Sequence, residues 1–181
     1  MTKLLSAALN YASRGWRVHP LTGKQAVLQS WPSLGSTDAA TITGWWAQYP
    51  AANVGILTGR QSNLFVLDVD PGKGGDDSLR ALEAQCGPLP NTVEVLTGGG
   101  GRHFYFQYPG GVVGNSNSKL GPGLDIKTDG GYVVAPSSIH PDTQRTYEWE
   151  GSHHPDDMQL APVPQFFICV ADANFLDWQY T

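Results

Sequence analysis

The sequence predicts an α+β domain in which many short strands alternate with a few helices. Its 181 residues include 22 glycines and 13 prolines, a composition that favours frequent turns over long helices. Leucine and alanine recur at helical spacing in residues 3–13, and apolar residues do so again in 38–48. Short apolar runs bounded by glycine, proline or aspartate predict the strands. With 40% hydrophobic residues, the chain can bury one sizeable core.

The N-terminal elements follow from local signals. The first helix stops at Gly15, and a short strand at residues 16–20 leads into a loop at 21–37. The second helix begins at Thr37 or Asp38, because either side chain can accept a hydrogen bond from the first turn.

The central strands are separated by glycine-rich turns. Runs at 53–59 and 64–70 lie close enough in sequence to pair as a hairpin. A third helix is expected at 77–85, with Gly87 as its stop. Further strands are expected at residues 92–97, 104–108, 124–127, 132–135 and 146–150.

Two segments lack a strong pattern. Residues 109–123 form a polar, glycine-rich loop that we expect to be mobile and close to a ligand. Residues 151–164 contain three prolines and predict a linker, after which a closing helix is expected from Gln165 to about Phe175.

Charge and cysteine content narrow the classes of function. A net charge of −5 argues against non-specific nucleic-acid binding over a broad surface, but it is compatible with a local basic cleft. Two cysteines, Cys86 and Cys169, are too few for a disulfide scaffold, and we expect buried free thiols. With no signal segment and no long apolar run, we expect a cytoplasmic protein without membrane contact.

Two carboxylates follow one apolar run. Side chains alternate along a strand, so Asp68 and Asp70 share one face, while Phe65, Leu67 and Val69 share the other. Like charges on one face repel unless a cation lies between them, and a hard divalent metal is the natural partner. Two solvated acids before a turn explain the pattern equally well.

A run of four glycines, residues 98–101, precedes Arg102 and His103. Glycine lets the backbone approach a ligand closely and offer its N–H groups. Together with two basic side chains, the run favours an anion site, such as one for a phosphate chain. The alternative is a hairpin turn with an incidental histidine. For Lys73, in another glycine-rich turn, a flexible connection is favoured over phosphate contact, because the P-loop pattern is absent.

Charged residues also interrupt the run at 124–127. Asp125 and Lys127 share a face by the alternation of a strand, although a half-exposed strand would look the same. Converging on one site, Asp68, Asp70 and Asp125 would suit one or two Mg²⁺ or Mn²⁺ ions. No set of residues has the spacing of a zinc site, and the histidine pair at 153–154 fits an exposed loop.

These motifs resemble those of the bifunctional DNA primase/polymerase (prim-pol) N-terminal domain, a branch of the archaeo-eukaryotic primase superfamily found in phage and plasmid replication proteins. The first family motif is an apolar strand that ends in Asp-x-Asp, and residues 67–70 match it. The second is a small-x-His motif at the start of a strand, matched by residues 101–103, and the third is apolar-Asp-apolar, matched by residues 124–126. The resemblance covers most of the chain, up to Trp149.

The resemblance implies a fold with an N-terminal α/β lobe packed on an RRM-like antiparallel sheet, with the active cleft between them. It makes Asp68, Asp70 and Asp125 the ligands of two divalent ions, and His103 a contact of the nucleotide phosphates. Residues 1–150 would be the catalytic domain, and residues 151–181 a linker and closing helix.

Further nucleotide contacts are implied at Gly101, Arg102 and Lys127, and more weakly at Ser138 and His140. In a regular strand Arg102 would point away from His103, so only the loop geometry could bring both side chains to one ligand. Thr97 departs from the family, which often has serine at this position.

The implied activity is template-directed nucleotidyl transfer, as a DNA primase, a DNA polymerase or both, in a bacterial or archaeal host cell. Its substrates would be (d)NTPs and a single-stranded DNA template, and its partner a helicase domain or protein. The alternatives are a non-catalytic nucleic-acid-binding or replisome-docking domain, and a metal-dependent nuclease.

Overall fold

The computed structural model describes residues 2–167 as two antiparallel sheets with helices packed on them, which confirms the α+β class. The helices are α1 (Lys3–Ser13), α2 (Trp31–Leu34), α3 (Ala39–Gln48) and α4 (Gly75–Cys86). The strands are β1 (Val18–Thr22), β2 (Gln25–Ala26), β3 (Asn53–Leu57), β4 (Leu64–Val69), β5 (Val93–Leu96), β6 (Arg102–Gln107), β7 (Ser116–Asn117), β8 (Leu124–Lys127), β9 (Tyr132–Val134), β10 (Glu148–Trp149) and β11 (Ala161–Pro162).

The small sheet has the strand order β2-β1-β3-β9, and the large sheet has the order β10-β5-β6-β4-β8-β7. Strand β11 adds to the large sheet by pairing in parallel with β6. It lies in the segment predicted to be a linker. The chain is helical at 165–167, and the rest of the predicted closing helix, like Cys169, falls outside the described residues.

The predicted hairpin of β3 with β4 is wrong, because the two strands belong to different sheets. Strand β3 pairs with β1 and β9, whereas β4 pairs with β6 and β8, so both edges of each strand are already used. A single bridge between Gly59 and Leu64 is all that joins them. The chain therefore crosses from the small sheet to the large one at residues 58–63.

Local signals account for the helix starts. The Thr2 hydroxyl accepts a hydrogen bond from the Leu5 amide at 3.2 Å, and the Asp38 carboxylate accepts one from the Thr41 amide at 2.7 Å. Asp38, rather than Thr37, is thus the cap of α3. The segment 21–37, expected to be loop throughout, contains β2 and the single turn α2. Cys86 is free and only half-buried at the end of α4, so its predicted burial is wrong.

The large sheet is covered on both faces. On β4, Leu64 and Val66 join the core shared with α1, α3 and the small sheet. Phe65, Leu67 and Val69 join a second core that contains Leu79 of α4. Asp68 continues the first of these faces, so the core between the two sheets changes into a polar cleft where β4 ends. Within residues 2–167, no helix has the length and apolar content needed to cross a bilayer.

A buried histidine supports the small sheet. His19 is fully buried beside Gly55 and stacks on Trp31 with ring centroids 5.3 Å apart. Neither ring nitrogen has a hydrogen-bond partner among residues 2–167. Burial lowers its pKa to about 4. The folded protein therefore keeps this ring neutral at pH values where an unfolded chain would protonate it.

We predict that His19 makes the fold less stable in mild acid. Between the unfolded pKa of about 6.5 and the folded value, only the unfolded chain takes up the proton. The free energy of unfolding therefore has its full value above about pH 6.5. It decreases as the pH falls towards 4, and at pH 5 the decrease is about 2 kcal/mol. Urea unfolding at pH 7.5 and pH 5 measures this decrease in the free energy of unfolding. The decrease should be smaller by about that amount in His19→Phe, which keeps the ring stack, than in the wild type. An equal loss in both proteins would contradict the prediction.

Candidate active-site cleft

Three of the predicted site residues form one row across the large sheet. Asp68 on β4 lies directly opposite His103 on β6, and on its other side opposite Asp125 on β8. Directly opposed residues of antiparallel strands place their side chains next to each other on one face. Strand register alone therefore brings together three residues that are up to 57 positions apart in the sequence (68 to 125).

Asp70 lies just beyond the end of β4 and is fixed through its backbone. Its amide donates to the Gly123 carbonyl at 2.8 Å, and its carbonyl accepts from the Gly75 amide at 2.9 Å. A Cβ at either glycine would come within 2.7 Å of the Asp70 carbonyl oxygen. Glycine is thus required at both positions for this close approach.

Asp68 and His103 of this row border a cleft of about 740 Å³ that is lined from both sheets. Asp68, Asp70, His103 and Lys127 lie on its large-sheet side, and Tyr132 of β9 lies on its small-sheet side. A neighbouring cavity of about 310 Å³ is lined by all three predicted carboxylates, Asp68, Asp70 and Asp125. These volumes match those of small-molecule sites.

Each carboxylate has a basic neighbour. The Lys73 ammonium is 2.9 Å from Asp70, the Lys127 ammonium is 3.0 Å from Asp125, and His103 Nε2 is 3.6 Å from Asp68. The hydrogen bond from Lys73 lowers the pKa of Asp70. The two lysines therefore offset part of the repulsion among the acids within the protein itself.

The described residues contain no group of three histidine, cysteine, aspartate or glutamate side chains already arranged to hold a metal ion. The chemistry of the site nevertheless fits a hard divalent cation, because carboxylate oxygens are its preferred ligands and three carboxylates line one cavity. Lys73 is largely exposed and can leave Asp70 at little cost.

His103 is a buried histidine with an unused ring nitrogen. Its side chain packs beside Tyr105 and Tyr147, and Nδ1 has no hydrogen-bond partner in the described part of the chain. Burial lowers the pKa of His103, opposed by the charge of Asp68. A neutral ring keeps one donor and one acceptor nitrogen.

The glycine run before His103 serves packing as well as the cleft. A Cβ at Gly98 would come within 2.6 Å of the His140 side chain, and one at Gly101 within 2.3 Å of the Val69 carbonyl oxygen. The Gly101 amide donates to the Thr97 hydroxyl at 2.9 Å, so it is not free for a ligand. Gly99 is exposed in the cleft, and its amide has no acceptor among residues 2–167.

His140 reaches the cleft from the loop after β9. Its Nδ1 accepts from the Asp142 and Thr143 amides at 3.3 and 3.4 Å, which places the ring proton on Nε2. Tyr147 stacks on His140 with ring centroids 6.0 Å apart and packs against His103 at 6.2 Å. One tyrosine therefore fixes both histidines of the cleft.

The expectation that Arg102 contributes to the nucleotide site is not supported by its position. Its guanidinium lies over the Phe104 ring and 3.2 Å from Asp76 of α4, on the sheet face opposite to His103. The reason is the alternation of a regular strand, because β6 begins at Arg102 itself. The loop geometry does not bring Arg102 back to the cleft.

Ser138 also lies away from the cleft. It is fully buried, and its hydroxyl accepts from the Val54 amide at 2.9 Å, which ties the loop after β9 to β3. Its role in this structure is to hold that loop in place.

The cleft residues that the sequence analysis did not predict include Lys24, Trp31 and Tyr132. Lys24 and Trp31 come from the segment expected to be loop, where no motif marks them. Tyr132 was recognised only as part of a strand. Their place in the cleft becomes visible only when the two sheets are seen together.

Comparison with known families gives one match. The model of the Prim-Pol family, described as the N-terminal domain of bifunctional DNA primase/polymerase, matches residues 8–166. No curated protein matches the chain. The matched range includes every residue of the row and of the cleft described above.

We predict that Gly101→Ala destabilises the fold by about 1–3 kcal/mol, because the new methyl group would overlap the Val69 carbonyl oxygen. Gly151→Ala is the matched control, since a Cβ at Gly151 meets open space. Urea unfolding of the three proteins measures the difference. Equal stability of the two variants would show that β4 and β6 do not approach as closely as described.

Proposed function

The chain belongs to the family of bifunctional DNA primase/polymerase N-terminal domains, and from this membership we propose that its cleft catalyses template-directed nucleotidyl transfer. The family implies a nucleotidyltransferase-type enzyme of DNA replication that acts on DNA and nucleotides. In the reaction we propose, the 3′-hydroxyl of a primer or initiating nucleotide attacks the α-phosphate of a bound (d)NTP. The bond to the β-phosphate breaks, and pyrophosphate leaves.

The observation that carries this proposal is the row His103–Asp68–Asp125 at the edge of a nucleotide-sized cleft. Acids alone would repel a polyanion, whereas histidines beside them can donate hydrogen bonds to its phosphates. A site with both kinds of group can hold a triphosphate beside an attacking hydroxyl.

Asp68, Asp70 and Asp125 would hold one or two Mg²⁺ or Mn²⁺ ions. Such ions, when bound, lower the pKa of the attacking hydroxyl and neutralise the leaving pyrophosphate. Holding nucleotide and hydroxyl in line is then the main task of the protein itself.

The phosphates would be bound by neutral donors around the glycine run. His140 Nε2 carries a proton, the Gly99 amide has no acceptor among residues 2–167, and His103 borders the same space. Preorganised donors of this kind need no rearrangement when charge develops on the leaving group. Lys127 contributes positive charge on the side of the acids.

The proposal also includes the partners of the protein in DNA replication. A single-stranded DNA template and a helicase domain or protein fit a replicative primase/polymerase, and the phage or plasmid setting fits the same role. The choice between primase and polymerase activity is decided by whether products form with and without a primer.

We predict that Asp68→Asn reduces nucleotide incorporation at least about 100-fold, because it removes the central charge of the row while keeping its size. The assay uses a single-stranded template, with and without primer, labelled dNTPs or NTPs, and Mg²⁺ or Mn²⁺. Asp77→Asn is the control, because Asp77 lies on α4 with a largely exposed side chain paired to Arg80.

Near-normal incorporation by Asp68→Asn would contradict the role of the row. Tight DNA binding by the wild-type protein without any incorporation would favour a non-catalytic binding domain. Shortening of the DNA would favour a nuclease.

A further inference from the structure

We propose that Lys24, in a turn of the small sheet, binds the triphosphate of the nucleotide. It would contact the phosphates from the small-sheet side of the cleft, whereas the acids lie on the large-sheet side. The inference rests on the proposed function, because it assumes that a nucleotide occupies the cleft. It adds a residue that lies outside all the motifs of the sequence analysis.

Lys24 occupies a tight turn between β1 and β2. Residues 22 and 25 pair across this turn, which contains only Gly23 and Lys24. Gly23 has a φ of +59°, a left-handed conformation that glycine adopts without strain. The side chain of Lys24 is exposed and borders the cleft that also contains Asp68 and His103.

Two side chains hold this turn in place. The Asn53 amide nitrogen donates to the Gly23 carbonyl at 2.9 Å, and the Tyr132 hydroxyl donates to the Lys24 carbonyl at 2.8 Å. Asn53 itself is buried on β3 and is bonded to Ile139 as well. The backbone of the turn is thus fixed, while the ammonium group stays free to move over the cleft.

The three lysines of the cleft differ in one respect. Lys73 and Lys127 are paired with Asp70 and Asp125, so their charges are balanced within the protein. Lys24 has no ion pair or side-chain hydrogen bond in the described part of the chain. A cation without a direct ion-pair partner at a cleft can bind an anion there, and a phosphate is an anion that a lysine binds well.

The charge of Lys24 also reaches the phosphate-binding side. Burial is the main cause that lowers the pKa of His140, and the positive charge of Lys24 lowers it further. Lys24 and His140, whose Nε2 donor we place on the phosphates, both line the same cleft. A triphosphate held there would meet donors from the glycine run and a cation from the small sheet.

The cleft favours a nucleotide over the DNA backbone as the source of this phosphate. Lys24 borders the same cleft as His103 and His140, and the cleft volume of about 740 Å³ suits one small molecule. A lysine tracking a DNA strand would instead lie on an open, basic surface.

The test measures binding of dATP, dAMP and a single-stranded oligonucleotide to Lys24→Met, Lys24→Arg and wild type, followed by steady-state incorporation. Lys3→Met is the control, because Lys3 is an exposed lysine on α1 outside the cleft. We expect Lys24→Met to weaken dATP binding about tenfold or more and to raise KM with little change in kcat, because a charged contact to the ground state is lost. Lys24→Arg should restore most of the affinity, and dAMP should be affected less than dATP.

Tyr132→Phe provides a second readout, because it removes the hydrogen bond to the Lys24 carbonyl and keeps the ring. We expect a smaller rise in KM with an unchanged melting temperature. Equal dATP affinity in Lys24→Met and wild type would overturn the inference, as would a loss confined to the oligonucleotide. Failure of the wild type itself to bind dATP or incorporate nucleotides would instead overturn the proposed function.

Discussion

The pairing of β4 with β6 on one side and β8 on the other is the constraint on which the site depends. This register places Asp68 opposite both His103 and Asp125, so the backbone hydrogen bonds of the sheet fix the spacing of the functional groups. A shift of one residue would turn Asp68 into the apolar core above α4 and expose Leu67 in the cleft. Burial of the apolar side chains on both faces of β4 therefore protects the geometry of the site.

Close glycine contacts and internal ion pairs stabilise the cluster of acids at the end of β4. Gly101 lies against the Val69 carbonyl, and Gly75 and Gly123 hold the backbone of Asp70, so the end of β4 is enclosed on several sides. Lys73 and Lys127 offset part of the repulsion among the acids, and the neutral His103 ring lies beside Asp68. Because these contacts are internal, we infer that the cleft is organised before any substrate or metal binds.

Local patterns predicted much of this structure, and long-range pairing explains what they missed. Alternation along a strand correctly placed Asp68 with Asp70, and it also gave the reason why Arg102 turns away to Asp76. The hairpin of β3 with β4 failed because proximity in sequence does not decide which edges are already paired. Lys24 carries no motif, since it reaches the cleft only through the packing of one sheet on the other. Whether Asp68, Asp70 and Asp125 bind metal stays a prediction.

The most direct test of the row is a titration with Mn²⁺, followed by electron paramagnetic resonance, with and without dATP. If the carboxylates of β4 and β8 form one cation site, Asp125→Asn should weaken Mn²⁺ binding about tenfold or more, and dATP should strengthen binding in the wild type. Asp77→Asn, on the surface of α4, should bind Mn²⁺ as the wild type does. Unchanged Mn²⁺ affinity in Asp125→Asn, with the fold intact by circular dichroism, would contradict the assignment of the cleft as a metal-dependent nucleotidyl-transfer site.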